Sequence, residues 1–148
     1  MQYSALSKWF CLTGLLFLAM ACSTPSDKIF IQKAEVIANQ LLDAMAEPNY
    51  DKAISFYDPR FFERISTGEW QTILKRLNDK LGKYQAREMT ASRVQHGFST
   101  ISTATTVLVY RVNYENSYAI QKFTFMSDEK ADKMALVGHY IDYPEIKK

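Results

Sequence analysis

At Gly82 the spacing of apolar residues changes from three and four to two. Such a switch separates a helical half from a stranded half, because side chains recur on one face every 3.6 residues in a helix and every second residue in a strand. Before it, Phe30, Ala34, Ile37, Ala38, Leu41, Leu42 and Met45 form one stripe, with Lys33, Glu35, Asn39, Gln40 and Asp43 opposite. Ser26 and Asp27 are suited to cap that helix, and Pro48 ends it. Asp51 is predicted to cap a shorter helix carrying Ala53, Ile54 and Phe56 or Tyr57, interrupted at Pro59. Phe61, Phe62 and Ile65 suggest a further buried turn. Ser66 and Glu69 have capping-box spacing, and Trp70, Ile73, Leu74, Leu77 and Leu81 follow as an apolar stripe. Gly82 suits the position just past the helix end, and Lys80 and Lys83 complement its dipole.

After Gly82, Tyr84 to Gln95 reads as a ragged strand. Tyr84 and Ala86 fall out of phase with Met89 and Ala91, which predicts a bulge. A turn at His96–Ser99 leads to a strand over Thr100–Tyr114, rich in Thr, Val and Tyr. Glu115-Asn116-Ser117 is a tight connection. Tyr118–Met126 follows, with Ala119, Gln121, Phe123 and Phe125 on one face. A charged loop over residues 127–133 precedes a last strand, Met134–Tyr143, stopped by Pro144. Three helices followed by four antiparallel strands predict an α+β fold, with the helices packed on one face of a curved sheet. The 148 residues allow one domain, and 47% hydrophobic and 14% aromatic residues supply its core.

Residues 1–21 are a different material. A positive start with Lys8 leads into an uncharged apolar run, Trp9–Ala21, too short to span a bilayer and of the length of a secretory leader. Ala19-Met20-Ala21 fits ordinary leader cleavage. Leu18-Ala19-Met20-Ala21-Cys22 also resembles the lipobox of bacterial lipoproteins, in which the cysteine is lipidated and becomes the first mature residue. Both patterns cut the same bond. A lone free thiol at the start of an exported chain is unusual, which favours lipid on Cys22. By the same resemblance Ser23, where an aspartate would retain the protein at the inner membrane, favours the outer membrane. Residues 22–27 are then the lipidated cysteine and a tether, its five residues after Cys22 reaching about 17 Å when extended. Residues 28–148 are the domain.

The order of elements resembles the NTF2-like, or cystatin-like, superfamily, and within it the small exported NTF2-like domains of bacterial lipoproteins. Trp70, Leu81-Gly82-Lys83-Tyr84, Val109-Tyr110-Arg111-Val112-Asn113-Tyr114, Phe123-Thr124-Phe125 and Leu136-Val137-Gly138-His139-Tyr140 carry the resemblance, which covers most of residues 28–143. The last strand of such domains often opens with Gly-x-Trp; here the stretch is Ala131-Asp132-Lys133-Met134. The resemblance implies a cone formed by sheet and helices, whose mouth serves some relatives as an active site.

The net charge of +2 does not supply the basic stripe that phosphate neutralisation needs, so no nucleic acid is expected. Two cysteines and two histidines at these spacings offer no metal set, and five glycines form no phosphate loop, so neither metal nor cofactor is expected. His139 and Asp142 lie three apart on one strand and face opposite ways. His96 is expected at a turn, His139 half-buried, and Asp58 as a cap or turn residue before Pro59. Lys75, Arg76, Lys80 and Lys83 form a solvated helix face. Eight tyrosines follow Cys22: Tyr50, Tyr57, Tyr84, Tyr110, Tyr114, Tyr118, Tyr140 and Tyr143. Tyr57, Trp70, Tyr110, Tyr114, Phe123, Phe125 and Tyr140 are the candidate lining of an aromatic, polar-rimmed cavity, with Tyr110 and Tyr114 sharing a face with Val112.

The function expected from this reading is non-catalytic. A lipid-anchored protein on the periplasmic face of a Gram-negative outer membrane would bind an amphipathic small molecule or an envelope protein, through an exposed sheet edge or by self-association through the sheet face. The competing class is an NTF2-like enzyme of isomerase or dehydratase type, with an acid–base residue in the cone. An enzyme requires an ionisable side chain at the mouth with a second polar group in reach. A ligand binder requires an apolar, tyrosine-rimmed cavity. An interior filled by its own side chains favours a protein partner instead.

Overall fold

The computed structural model describes residues 25–97, 103–128 and 130–144. The leader, Cys22 and Ser23 lie outside the described residues, as do Phe98 and Ser99 of the turn expected at His96–Ser99. The chain forms α1 (Pro25–Ala46), α2 (Tyr50–Ile54), a 3-10 turn (Pro59–Glu63) and α3 (Thr67–Leu81). Four strands follow, β1 (Tyr84–His96), β2 (Thr103–Tyr114), β3 (Tyr118–Asp128) and β4 (Met134–Asp142). They make one antiparallel sheet in the order β1-β2-β3-β4. The α+β fold expected from the change of period is therefore present, with α1 against β1 and β2 and the 3-10 turn against β4.

α1 begins at Pro25, earlier than the expected cap at Ser26 or Asp27, so residues 25–27 lie in its first turn rather than in an irregular tether. Proline is well accommodated there, because the first helical N–H groups have no partner within the helix. Phe30, Ala34, Ala38, Leu41, Leu42 and Met45 are buried along its inner face. α2 is capped by Asn49, whose side chain accepts from the Lys52 N–H at 3.1 Å, and not by Asp51. Asp51 already lies inside the first turn and instead accepts from Gln71 Nε2 at 2.7 Å. α3 carries the expected capping box: the Ser66 hydroxyl accepts from the Glu69 N–H at 3.3 Å, and the Glu69 carboxylate accepts from the Ser66 N–H at 3.0 Å. Trp70, Leu74, Leu77 and Leu81 are buried, whereas Ile73, expected with them, is 39% exposed at the edge of the stripe.

β1 is irregular as expected, but with two register shifts, between Tyr84 and Ala86 and between Met89 and Ala91, which flank the Ala86–Met89 stretch where the phase of the sequence breaks. β2 alternates strictly, burying Ala104, Thr106, Leu108, Tyr110, Val112 and Tyr114. β3 buries Ala119, Gln121, Phe123, Phe125 and Ser127 on the same face. β4 has its own irregularity opposite Thr124 and Phe125, where Gly138 pairs with Thr124 but Leu136 with Phe125. The extra residue, Val137, lets Leu136 and His139, three apart, both point into the core.

The junction between the two halves is braced by the β2–β3 hairpin. Gly82 has φ +84°, and a Cβ there would meet the Glu115 Cβ at 2.8 Å. The Asn116 N–H donates to the Leu81 carbonyl and the Glu115 N–H to the Lys83 carbonyl, each at 2.9 Å. Gly68, in the first turn of the same helix, meets nothing within 4 Å of an added Cβ. The two glycines should therefore respond oppositely to alanine. Gly82→Ala is expected to destabilise by about 1–3 kcal/mol, and Gly68→Ala to stabilise by about 0.4–1 kcal/mol. Urea unfolding of both variants checks the pair; equal effects would contradict the brace.

Candidate functional site

The end of α2 is pinned to the edge of the sheet. Tyr57 forms a single parallel bridge with Leu136, and the Asp58 N–H donates to the Leu136 carbonyl at 2.9 Å. Asp58 then caps the 3-10 turn, accepting from the Arg60 N–H at 3.0 Å. The Arg60 guanidinium grips the same carboxylate through Nε at 2.7 Å and Nη2 at 3.2 Å, and this pairing holds the exposed carboxyl below its ordinary range. Asp58 is thus a turn residue held by its own neighbour.

Behind that pin runs a buried polar chain. The Tyr57 hydroxyl lies 2.6 Å from His139 Nδ1, and His139 Nε2 lies 3.0 Å from Gln121 Oε1. Gln121 Nε2 donates to the Tyr114 hydroxyl at 3.0 Å. These contacts assign His139 as the neutral tautomer, donating from Nε2 to Gln121 and accepting at Nδ1 from Tyr57. Burial lowers His139 to about 3 and pushes Tyr57 far above the ordinary phenol range. Burial also raises Tyr114, and it raises Tyr110 to about 12 with the carboxylate of Glu35 adding to the effect. The Trp70 indole N–H is buried without a hydrogen-bond partner among the described residues, and its proximity to the Tyr57 hydroxyl opposes the burial effect. At neutral pH His139 stays uncharged and Tyr57 stays protonated. The chain satisfies polar atoms within the core.

Of the seven residues read as cavity lining, six meet in one place and one does not. Tyr57, Trp70, Tyr110, Tyr114, Phe123 and Phe125 are each no more than 7% exposed and belong to one packed cluster. Their rings fill the interior: Trp70 lies 6.0 Å from Tyr57 and 5.4 Å from His139 between centroids, and Phe123 lies 4.3 Å from His139 and 5.9 Å from Tyr110. Tyr140 is 60% exposed on the opposite face. Strand alternation requires this, because His139 points inward and its neighbour must point out. His139 is more deeply buried than the half-burial expected. Asp142 is exposed and separate from it, and His96 pairs with Asp27 at 2.8 Å on the surface.

The polar chain escaped the sequence reading because its members are far apart in the chain. One signal was present: Gln121 stands between Ala119 and Phe123 on an apolar strand face, and a polar side chain there needs a buried partner.

Beside the core, a groove of ≈ 550 Å³ runs between the 3-10 turn, the start of α3 and the outer face of β3 and β4, and His139 of the polar chain is among the residues that line it. Phe61, Trp70, Met126 and Tyr140 give it apolar walls, and Arg60, Arg64 and Lys122 lie along it. The Lys122 ammonium sits 5.5 Å from the Tyr140 ring centroid. Among the described residues no group of three His, Cys, Asp or Glu side chains is placed to hold a metal, and no helix is long and apolar enough to cross a membrane. The sequence matches no protein-family model and no curated protein.

Because only the unfolded chain binds a proton at His139 between about pH 6.5 and its folded value of about 3, stability should fall as pH drops through that window. From pH 7 to 5, before most carboxylates titrate, the loss is expected to be roughly 2 kcal/mol. Urea titrations at both values test it, with His139→Gln expected to lose this component; unchanged stability of the parent protein would contradict the assignment. Tyr57→Phe, which leaves Nδ1 without its donor, should cost about 1–3 kcal/mol in the same assay at pH 7.

Proposed function

We propose that this protein is a lipid-anchored envelope protein whose domain belongs to the NTF2-like class and works by binding another protein. The observation that carries this reading is the solid interior. Six aromatic side chains and His139 occupy the place where an NTF2-like cone would hold a ligand. The enzyme reading finds an ionisable pair, Tyr57 and His139, but the pair is buried, hydrogen-bonded throughout and shifted away from neutral pH in both members. His139 lines the groove beside β4, but Tyr57 does not, and an acid–base site needs both groups at the opening with one of them titrating near neutral pH.

Binding through the sheet edges has little support. β1 is kinked by two register shifts and carries Arg87, Glu88 and Arg93, features that blunt an edge against strand addition. β4 already accepts the Tyr57–Asp58 segment along part of its free edge. Surfaces other than the edges are therefore the better contact regions. The anchor follows from the lipobox-like Leu18–Cys22 stretch, and Ser23 favours the periplasmic face of the outer membrane of a Gram-negative bacterium.

Mass spectrometry of the mature N-terminal peptide is expected to show an acylated Cys22; an unmodified cysteine on a soluble protein would refute the anchor. Crosslinking in intact envelopes, followed by identification of the joined peptides, is expected to join a defined partner to the domain surface. Recovery of a bound small molecule with no specific protein adduct would overturn the interaction role.

A further inference from the structure

The groove beside β4 combines apolar walls, unpaired positive charge and an open side. Its lining includes three bases, Arg60, Arg64 and Lys122, against one acid, Glu63. Arg64 and Lys122 form no ion pair among the described residues. Arg60 gives Nε and Nη2 to Asp58 and directs Nη1 to the Met126 sulfur at 3.9 Å. Gly138 keeps the floor low, since a Cβ there would stand 3.1 Å from the Thr124 Cβ.

We propose that this groove receives an acidic segment of a partner protein, with one bulky apolar side chain laid against Phe61, Met126 and Tyr140. The inference rests on the protein-binding reading above and says where that partner docks. The excess of positive charge, carried by Arg64 and Lys122, selects an acidic segment. Exposure selects a protein over a small amphiphile. Tyr140 is 60% and Met126 37% exposed, so one wall is solvent. Small-ligand sites enclose most of their ligand, whereas a protein partner covers an open groove with its own surface.

Four synthetic decapeptides test the claim with the full chain carrying Trp9→Phe, which leaves Trp70 as its one tryptophan. The first has a central Phe flanked by Asp and Glu. The second replaces the acids with Lys, the third replaces them with Ser, and the fourth keeps the acids but replaces Phe with Ala. Trp70 fluorescence should respond most strongly to the first. Its affinity should exceed that of each other peptide by about tenfold and should weaken with salt. The surface variant Arg64→Glu with Lys122→Glu, checked for an unchanged circular dichroism spectrum, should reverse the preference between acidic and basic peptides. Equal affinities, or a preference the double variant leaves untouched, would overturn the proposal. So would tight binding of dodecanoate with no peptide response, or self-association of the protein that the double variant abolishes. Envelope crosslinks to a partner at a different surface, with no peptide binding here, would remove this docking site and leave the interaction role standing.

Discussion

The hydrogen bond between Tyr57 and His139 joins residues 82 apart and fastens the helical layer to the last strand. Around it, Trp70 brings the start of α3 over the His139 ring, and Phe123 brings β3 beneath it. The contact is strong because its surroundings exclude water, and for the same reason it cannot tolerate a missing partner. Gln121 and Tyr114 complete the polar chain across β3 and β2, so three of the four strands and the segment after α2 share one satisfied network. The Thr106 and Tyr110 hydroxyls, on the same face of β2 as Tyr114, are buried without a partner among the described residues. That contrast marks the Tyr57–Tyr114 chain as the better-organised polar part of the core.

This organisation also separates the two faces of β4. Inside, the strand supplies His139 to the polar chain, although this residue also borders the groove. Outside, one residue later, it supplies Tyr140 to an open cationic groove. The inner face contributes to stability, and the outer face carries the exposed aromatic and basic side chains. Their proximity gives the groove a rigid floor, since the backbone beneath it is held from within by His139 and at its edge by the Asp58–Leu136 hydrogen bond.

What was legible in the sequence was local. The change of period at Gly82, the Ser66–Glu69 box, the ragged phase of β1 and the inner face of β3 depend on residues close in the chain, and each is present. Ile73 departs from its stripe because it lies at the margin of a helical face, where spacing alone does not decide burial. Asn49 caps α2 because it stands just outside the first turn, a distinction between two competent residues that requires the helix start itself. The placement of Tyr140 required knowing the orientation of His139, which depends on the extra residue that β3 forces into β4. The groove was illegible for a related reason. Its walls come from a turn, a helix and two strands, and no single segment carries the pattern.

In the proposed lipid-anchored form, α1 starting at Pro25 shortens the leash to the membrane. Only Ser23 and Thr24 lie between that helix and Cys22, a span of about 7 Å at full extension instead of about 17 Å for the five residues expected. The volume an anchored domain sweeps grows with the cube of its reach, so the early start shrinks it by roughly tenfold. With Cys22 acylated, such a domain stands on the bilayer rather than drifting above it. Its encounters are then set by lateral diffusion and by the height of each partner's exposed segment above the lipid, which gives the fold a geometric filter independent of affinity.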